Sequence, residues 1–194
     1  MTNNKPDIEI EYKFKVEDKE SLVSLLDHLS GDKKPREYQS NVMFDNPQEL
    51  MQITDGRIRV RTLGESGKKE LTYKKPLPPE NGAKHEIEYE IEFFDSNNQI
   101  ENILTAMEFV PNSSYERYRT EWRIKNVQIT LDEYPYGDFI EIEGEKDAIE
   151  NMAKELHFDI SQGITKPTDT LFQEWRKERA LSFKPHMKFD DFDK

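Results

Sequence analysis

The sequence sets ionisable residues in rows at every second position. Glu9, Glu11, Lys13 and Lys15 share one side of IEIEYKFKV (8–16), with Ile8, Ile10, Tyr12, Phe14 and Val16 on the other. Arg57, Arg59 and Arg61 repeat in GRIRVRTL (56–63), and Glu86, Glu88, Glu90 and Glu92 in HEIEYEIEF (85–93). Arg117, Arg119, Glu121 and Arg123 fall together in YERYRTEWRIK (115–125), Thr130 and Asp132 in VQITLD (127–132), and Glu141 and Glu143 in DFIEIEG (138–144). Like charges about 6–7 Å apart along a strand repel by up to a couple of kcal/mol each at an effective dielectric of about 20. Two arrangements offset that repulsion. One is acid–base pairing between neighbouring strands. The other is a polyanion on the basic rows with a divalent cation on the acidic ones.

The elements that must position these rows follow from the same alternation. Two further stretches read as strands: YQSNVMFD (38–45), with Gln39, Asn41 and Met43 opposite Tyr38, Ser40, Val42 and Phe44, and ELTYKK (70–75), with Thr72 and Lys74 opposite Leu71 and Tyr73. That makes eight strands. GESGK (64–68) reads as a hairpin loop, Lys125-Asn126 as a tight turn with Asn tolerating the left-handed conformation, and PLPPENGAK (76–84) as a longer loop. Neighbours joined this closely are antiparallel. Helical periodicity marks 17–29, 95–109, 146–156 and 168–181, each with an apolar stripe able to cover the apolar side of a sheet. Eight strands suffice to close a barrel, and closure would turn the charged rows inward together. For a single strand, a solvated charged side is the commoner case.

Composition bounds the rest. The chain has 194 residues, suited to one domain over 1–181, with 182–194 read as an acidic C-terminal tail. Charged residues (35%) slightly outnumber hydrophobic ones (34%), which predicts a thin core, while eleven Phe, eight Tyr and two Trp argue against wholesale disorder. A net charge of −12 disfavours nonspecific nucleic-acid binding. The absence of cysteine excludes disulfides, thiolate metal sites and a Cys nucleophile. His28, His85, His157 and His186 show no metal-ligand spacing, and GESGKK lacks the phosphate-loop pattern. Without an apolar leader or a membrane-length apolar run, the expectation is a soluble cytoplasmic protein with no membrane partner.

The motifs and their order resemble one family. Glu9-Ile10-Glu11-Tyr12-Lys13 has the form ExExK and opens the chain as a strand. IRVRTLG (58–64) is similar to LRIRxxG, LTYKKP (71–76) to LTxKGP, and KHEIEYEIE (84–92) to the glutamate strand that follows. RYRTEW (117–122) resembles KxRxxY/W, and LDEYPYGDFIEIEG (131–144) resembles DxxxxLGxFvEIEg. Together these cover about residues 8–176 and resemble the CYTH domain, the triphosphate tunnel metalloenzymes, which include thiamine triphosphatases, inorganic tripolyphosphatases and class IV adenylate cyclases.

The resemblance implies an α+β fold, an eight-stranded antiparallel β-barrel forming a hydrophilic tunnel with helices packed outside. It implies that Glu9, Glu11, Glu141 and Glu143, with Asp132 in support, hold Mg2+ or Mn2+. Lys13, Arg59, Arg61, Lys74, Arg117 and Arg119 would hold a triphosphate. Glu88 and Glu90, with Glu86 as the register alternative, would orient those cations or position a second metal and water; together with Glu9, Glu11 and Lys74 they form the implied catalytic set. Arg57 takes a lesser part, and Lys166 would cover a tunnel mouth. The implied partner is a small-molecule triphosphate, the implied assembly a monomer or homodimer. The leading activity is a metal-dependent triphosphatase releasing orthophosphate; the alternatives are a class IV adenylate cyclase and a non-catalytic polyphosphate- or nucleotide-binding module. Three positions depart from the pattern. Met43-Phe44-Asp45 stands where Tyr-Phe-Asp is common, Lys84 where Arg is, and Arg117 where Lys is. Tyr38 is near Met43 in sequence, but its parity puts it on the outer side.

Overall fold

The alternating segments become strands, and the helices cover the apolar side of most of them, while Tyr89 and Ile91 stay exposed. The computed structural model describes residues 7–64, 66–78 and 84–192, with 7–9 and 84 as backbone alone. In chain order the elements are β1 (Asp7–Val16), α1 (Lys19–His28), β2 (Asp32–Lys33), β3 (Glu37–Asp45), α2 (Leu50–Ile53), β4 (Arg57–Leu63), β5 (Lys68–Pro76), β6 (Lys84–Phe94), α3 (Gln99–Ala106), β7 (Val110–Ile124), β8 (Val127–Tyr134), β9 (Gly137–Gly144), α4 (Lys146–Glu155), α5 (Thr168–Glu178) and β10 (His186–Met187).

Eight strands close a ring in the order β7-β3-β4-β5-β6-β1-β9-β8, and β8 returns to β7. Every pairing around the ring is antiparallel. The fold is therefore the α+β barrel with outer helices that the resemblance implies. β2 and β10 attach to β7 outside the ring. These two-residue strands and the single turn α2 are too short to leave a periodic signal in the sequence. α2 is held by the Asp45 carboxylate, which accepts from the backbone N–H groups of Asn46 (2.8 Å), Met51 (2.9 Å) and Gln52 (3.2 Å).

The main core lies outside the barrel. Tyr12, Phe14 and Val16 of β1 join Trp122, Ile129, Leu131, Ile140 and Ile142 from β7, β8 and β9 under Leu22 and Leu26 of α1 and Ile149, Met152 and Ala153 of α4. Asp18 caps α1, its carboxylate accepting from the Ser21 N–H at 3.0 Å. A smaller cluster of Phe44, Val60 and Leu104 sits under α3. Since the apolar sides face outward, the charged rows face the lumen.

Two turns refine the expectation. The hairpin between β4 and β5 puts Gly64 (φ +52°) and Gly67 (φ +74°) in the left-handed region. In the β7–β8 turn it is Lys125, at φ +54°, that takes that conformation, and Asn126 does not. With Ile124 paired to Val127, Lys125 and Asn126 form a two-residue hairpin link.

The segment read as a tail docks. Met187 is buried, and β10 runs parallel to β7 with Met187 beside Tyr115. Phe189 packs on Tyr118, and Phe192 on Phe172 and Trp175 of α5. Met187→Ala is expected to lower stability by about 2–4 kcal/mol, read as a fall in the urea midpoint; an unchanged midpoint would show that this segment adds nothing to the fold.

Candidate active site

The lumen is a cavity of about 490 Å3 lined by charged side chains from six of the eight barrel strands, together with Met43 of β3 and Gln128, Thr130 and Tyr134 of β8. Its volume suits a small molecule, but its lining is far more ionic than that of an ordinary ligand pocket. Glu11, Lys13, Arg59, Arg61, Lys74, Glu88, Glu90, Arg117, Arg119, Glu141 and Glu143 all line it. Of the implied set, Asp132 lies behind the wall, fully buried. The side chains of Glu9 and Lys84 lie outside the described residues; the Glu9 backbone pairs with Glu86 across β1 and β6.

On the β4–β5–β6 side, acid–base pairing is organised rung by rung. Arg57 pairs with Glu86, and Lys74 Nζ lies 2.7 Å from Glu88. Arg59 donates to Thr72 Oγ1 at 3.0 Å, and Thr72 in turn donates to Glu90 at 3.0 Å. Buried Arg61 donates through Nε to Asn41 Oδ1 (3.1 Å) and through Nη1 to Glu70 (2.6 Å). The glutamates of β6 thus pair with the cations of β4 and β5.

On the opposite side, one chain of charge crosses four strands. Arg119 grips Asp132 with a fork, Nε to Oδ1 and Nη2 to Oδ2, both at 2.6 Å. Arg117 Nη1 donates to the same Oδ2 at 2.8 Å, and Arg117 Nε to Gln39 at 2.9 Å. Arg119 Nη2 also reaches Glu141 at 2.8 Å, and the other Glu141 oxygen lies 3.0 Å from Lys13 Nζ. Two guanidiniums and the Tyr134 hydroxyl (3.3 Å) surround the Asp132 carboxylate, which is buried behind the lining.

The electrostatics record how crowded this cavity is. Burial pushes Arg61 down, Arg59, Arg117 and Arg119 push it further, and Glu70 offsets only part, leaving it at about 9. A guanidinium stays charged at neutral pH, so the shift measures packed positive charge. Burial works against the Lys13 ammonium, but Glu141 and Glu11 outweigh it and hold the pKa above the ordinary lysine value. Burial also opposes Arg117 and Arg119, yet both are raised, with Asp132 the leading favourable partner of each. Among the described residues, Arg59 Nε and Arg117 Nη2 are buried donors with no acceptor.

The acidic end has its own tension. Glu11 and Glu143 sit directly opposite one another on β1 and β9, both lining the cavity. Like charges in that position destabilise a sheet unless something offsets them. Their hard oxygen donors suit a divalent cation that keeps several waters and takes further ligands from a phosphate. Among the described residues, no group of three or more acidic or His side chains forms a ready-made metal cage. Glu11 and Glu143 therefore fit a cation held in part by its substrate.

At one end the start of α5 contributes Pro167, Thr168 and Asp169 to the lining, tied down by Tyr134 to Thr168 Oγ1 (3.3 Å) and Tyr136 to the Thr168 carbonyl (3.2 Å). Lys166, expected over a mouth, pairs instead with Glu174 of α5 at 2.6 Å, both half-exposed. Sequence reasoning missed Gln39, Asn41, Glu70, Tyr115 and Tyr134 as site residues. Gln39 and Asn41 share the side of Met43, and Glu70 the side of Thr72, so parity alone was a sufficient signal. Tyr134 lies beyond the expected end of its strand.

A family model described as the CYTH domain matches residues 7–170. A comparison with curated proteins gives no match. Among solved structures, a candidate adenylate cyclase of Vibrio parahaemolyticus aligns with TM-score 0.77 and 14% identity over 87% of this chain and 99% of that one. The PH1012 protein of Pyrococcus horikoshii aligns with TM-score 0.69 and 25% identity over 82% and 96%. HpAC1 of Hippeastrum, a candidate adenylyl cyclase described as having a dominant triphosphatase activity, aligns with TM-score 0.64 and 23% identity over 86% and 95%. No helix among the described residues is long and apolar enough to cross a membrane.

Proposed function

Because the chain belongs to the CYTH domain family, we propose that it is a divalent-metal-dependent hydrolase of triphosphate compounds, releasing orthophosphate. One observation carries the reading. Buried guanidinium N–H groups of Arg59 and Arg117 lack acceptors beside a cavity crowded with cations, and the Glu11–Glu143 pair lines the same cavity. An orphaned charged donor is costly unless a ligand takes it, and a triphosphate supplies both the anion and the missing metal ligands. The triphosphatase activity described for HpAC1 favours hydrolysis over cyclisation.

In this reading Lys13, Arg59, Arg61, Lys74, Arg117 and Arg119 hold the phosphates, the arginines by forked contacts and the lysines as point charges. Glu9, Glu11 and Glu143, with Glu141 beside them, hold Mg2+ or Mn2+. Bound there, the cation would supply neutralisation of phosphate charge as it builds in the transition state. Asp132 positions Arg117 and Arg119, while Glu86, Glu88 and Glu90 position Arg57, Lys74 and Arg59 before substrate arrives, so little reorganisation remains for the reaction itself. Water attacks the terminal phosphorus, a new P–O bond forms, the bridging P–O bond breaks, and the diphosphate leaves into the basic wall.

The test is one assay set: inorganic tripolyphosphate, thiamine triphosphate and ATP, each with Mg2+ and with Mn2+, following orthophosphate, pyrophosphate and cyclic AMP. Orthophosphate from at least one substrate, lost on chelation, is the expected result. Cyclic AMP with pyrophosphate would replace the reading with a cyclase, and binding without turnover throughout would replace it with a binding module.

A further inference from the structure

Tyr115 lines the cavity and has no part in the reading above. It stands two residues before Arg117 on the inner side of β7, opposite Asn41 of β3. Its ring lies against that of Tyr134, centroids 6.0 Å apart, which fixes the ring while the hydroxyl bonds Arg59. The groups around it are unevenly charged. β4 presents Arg57, Arg59 and Arg61, and β7 itself presents Arg117. β8 contributes Tyr134, and β3 only the uncharged Asn41 and Met43. Of the carboxylates at this end, Asp132 is engaged by Arg117 and Arg119, and Asp169 enters from the start of α5. Positive charge is in surplus at the Tyr115 hydroxyl, and two of the surrounding guanidiniums carry a buried N–H without an acceptor.

We propose that Tyr115 contacts the substrate directly, its phenol donating to a phosphate oxygen, and that its phenolate is a built-in competitor for the arginine cluster, so that ionisation of this side chain and binding of polyphosphate exclude one another. The inference rests on the triphosphate reading and deepens it. The step is a proton transfer alone: at alkaline pH the phenolate takes one proton from the buffer as the polyphosphate enters.

The sign follows from the surroundings. Burial favours the neutral phenol, but Arg59, Arg117 and Arg61 overcome it and bring the group down to about 8. Below that pH the phenol is neutral and polyphosphate binds. Above it the cluster already holds an anion, and affinity falls by about tenfold per pH unit. Tyr134 moves the opposite way, since burial and then Asp132 raise it, so the two touching rings titrate apart.

The experiment follows tyrosinate absorbance of the full chain from neutral to alkaline pH, in chelator, with and without inorganic tripolyphosphate, for the wild type and Tyr115→Phe. One of the eight tyrosines is expected to ionise about two pH units before the ordinary tyrosine value. Tyr115→Phe removes that step, tripolyphosphate shifts it upward in the wild type, and the alkaline weakening of tripolyphosphate binding disappears in the variant. Superimposable titrations of wild type and variant would overturn the proposal, as would tripolyphosphate binding that leaves the early step in place. If tripolyphosphate fails to bind at neutral pH while the early step is present, the triphosphate reading fails and takes the competition with it, leaving only the ionisation of Tyr115 established.

Discussion

Glu11→Gln is expected to reduce metal-dependent turnover by about 100- to 1000-fold, the scale of several kcal/mol of lost charge stabilisation, with the fold intact. Glu11 lies directly across from Glu143. Substituting the isosteric amide keeps the shape, removes one negative charge from a like-charged pair, and so relieves repulsion in the free protein. Against this, the substitution withdraws charge that favours the buried Lys13 ammonium, so the two effects on stability oppose and the larger loss falls on catalysis. The distinguishing measurement is a titration with Mg2+ or Mn2+ at saturating substrate: the half-saturating metal concentration should climb together with the fall in rate. Glu9→Gln, two residues earlier on β1, is expected to behave alike. Rates and metal dependence equal to wild type would remove both residues from the metal site.

Asp132→Ala should behave in the opposite way, with its first effect on stability. Asp132 is fully buried and bonded to both Arg117 and Arg119. Its removal leaves two guanidiniums in the wall without their principal counter-charge, for which a loss of about 3–5 kcal/mol is expected. Urea denaturation reads this as a lower midpoint at unchanged slope. Inorganic tripolyphosphate should recover part of the loss, because a ligand that binds only the folded state stabilises it. Were Asp132 a metal ligand, as the motif resemblance implies, the substitution would shift metal dependence and leave the apo midpoint almost unmoved. The two variants together separate the residues that hold a cation from those that hold the arginines.

Much of this arrangement is legible in the residues. Alternation of charged or polar residues with Ile, Leu, Tyr, Phe or Val marks most of the barrel strands, because period two divides a strand into a side for water or ligand and a side for the core. The helices are equally plain from Leu22 and Leu26, or Ile149, Met152 and Ala153. Pairing is another matter. That β7 joins β3 on one side and β8 on the other is a fact of register between distant segments, and no periodicity within YERYRTEWRIK encodes it. β7 also begins earlier than its pattern, since Pro111, Asn112 and the paired serines lack strand character and are held there by β3. The fate of Asp132 was hidden for the same reason. A carboxylate in line with Thr130 looks like part of an acidic wall until the cross-strand partner is known to be Arg119. Docking of His186 and Met187 depends on the groove beside β7, which exists only after the barrel has formed.

Closure of the ring also governs how this chain meets other chains. A sheet that ends on itself leaves no row of backbone donors and acceptors for a foreign strand to extend. Among the described residues the strands outside the ring are β2 and β10, two residues each. Self-association by strand exchange is thereby discouraged even in a molecule with long, regular strands, and any lasting oligomer would have to be cemented by side chains on its outside.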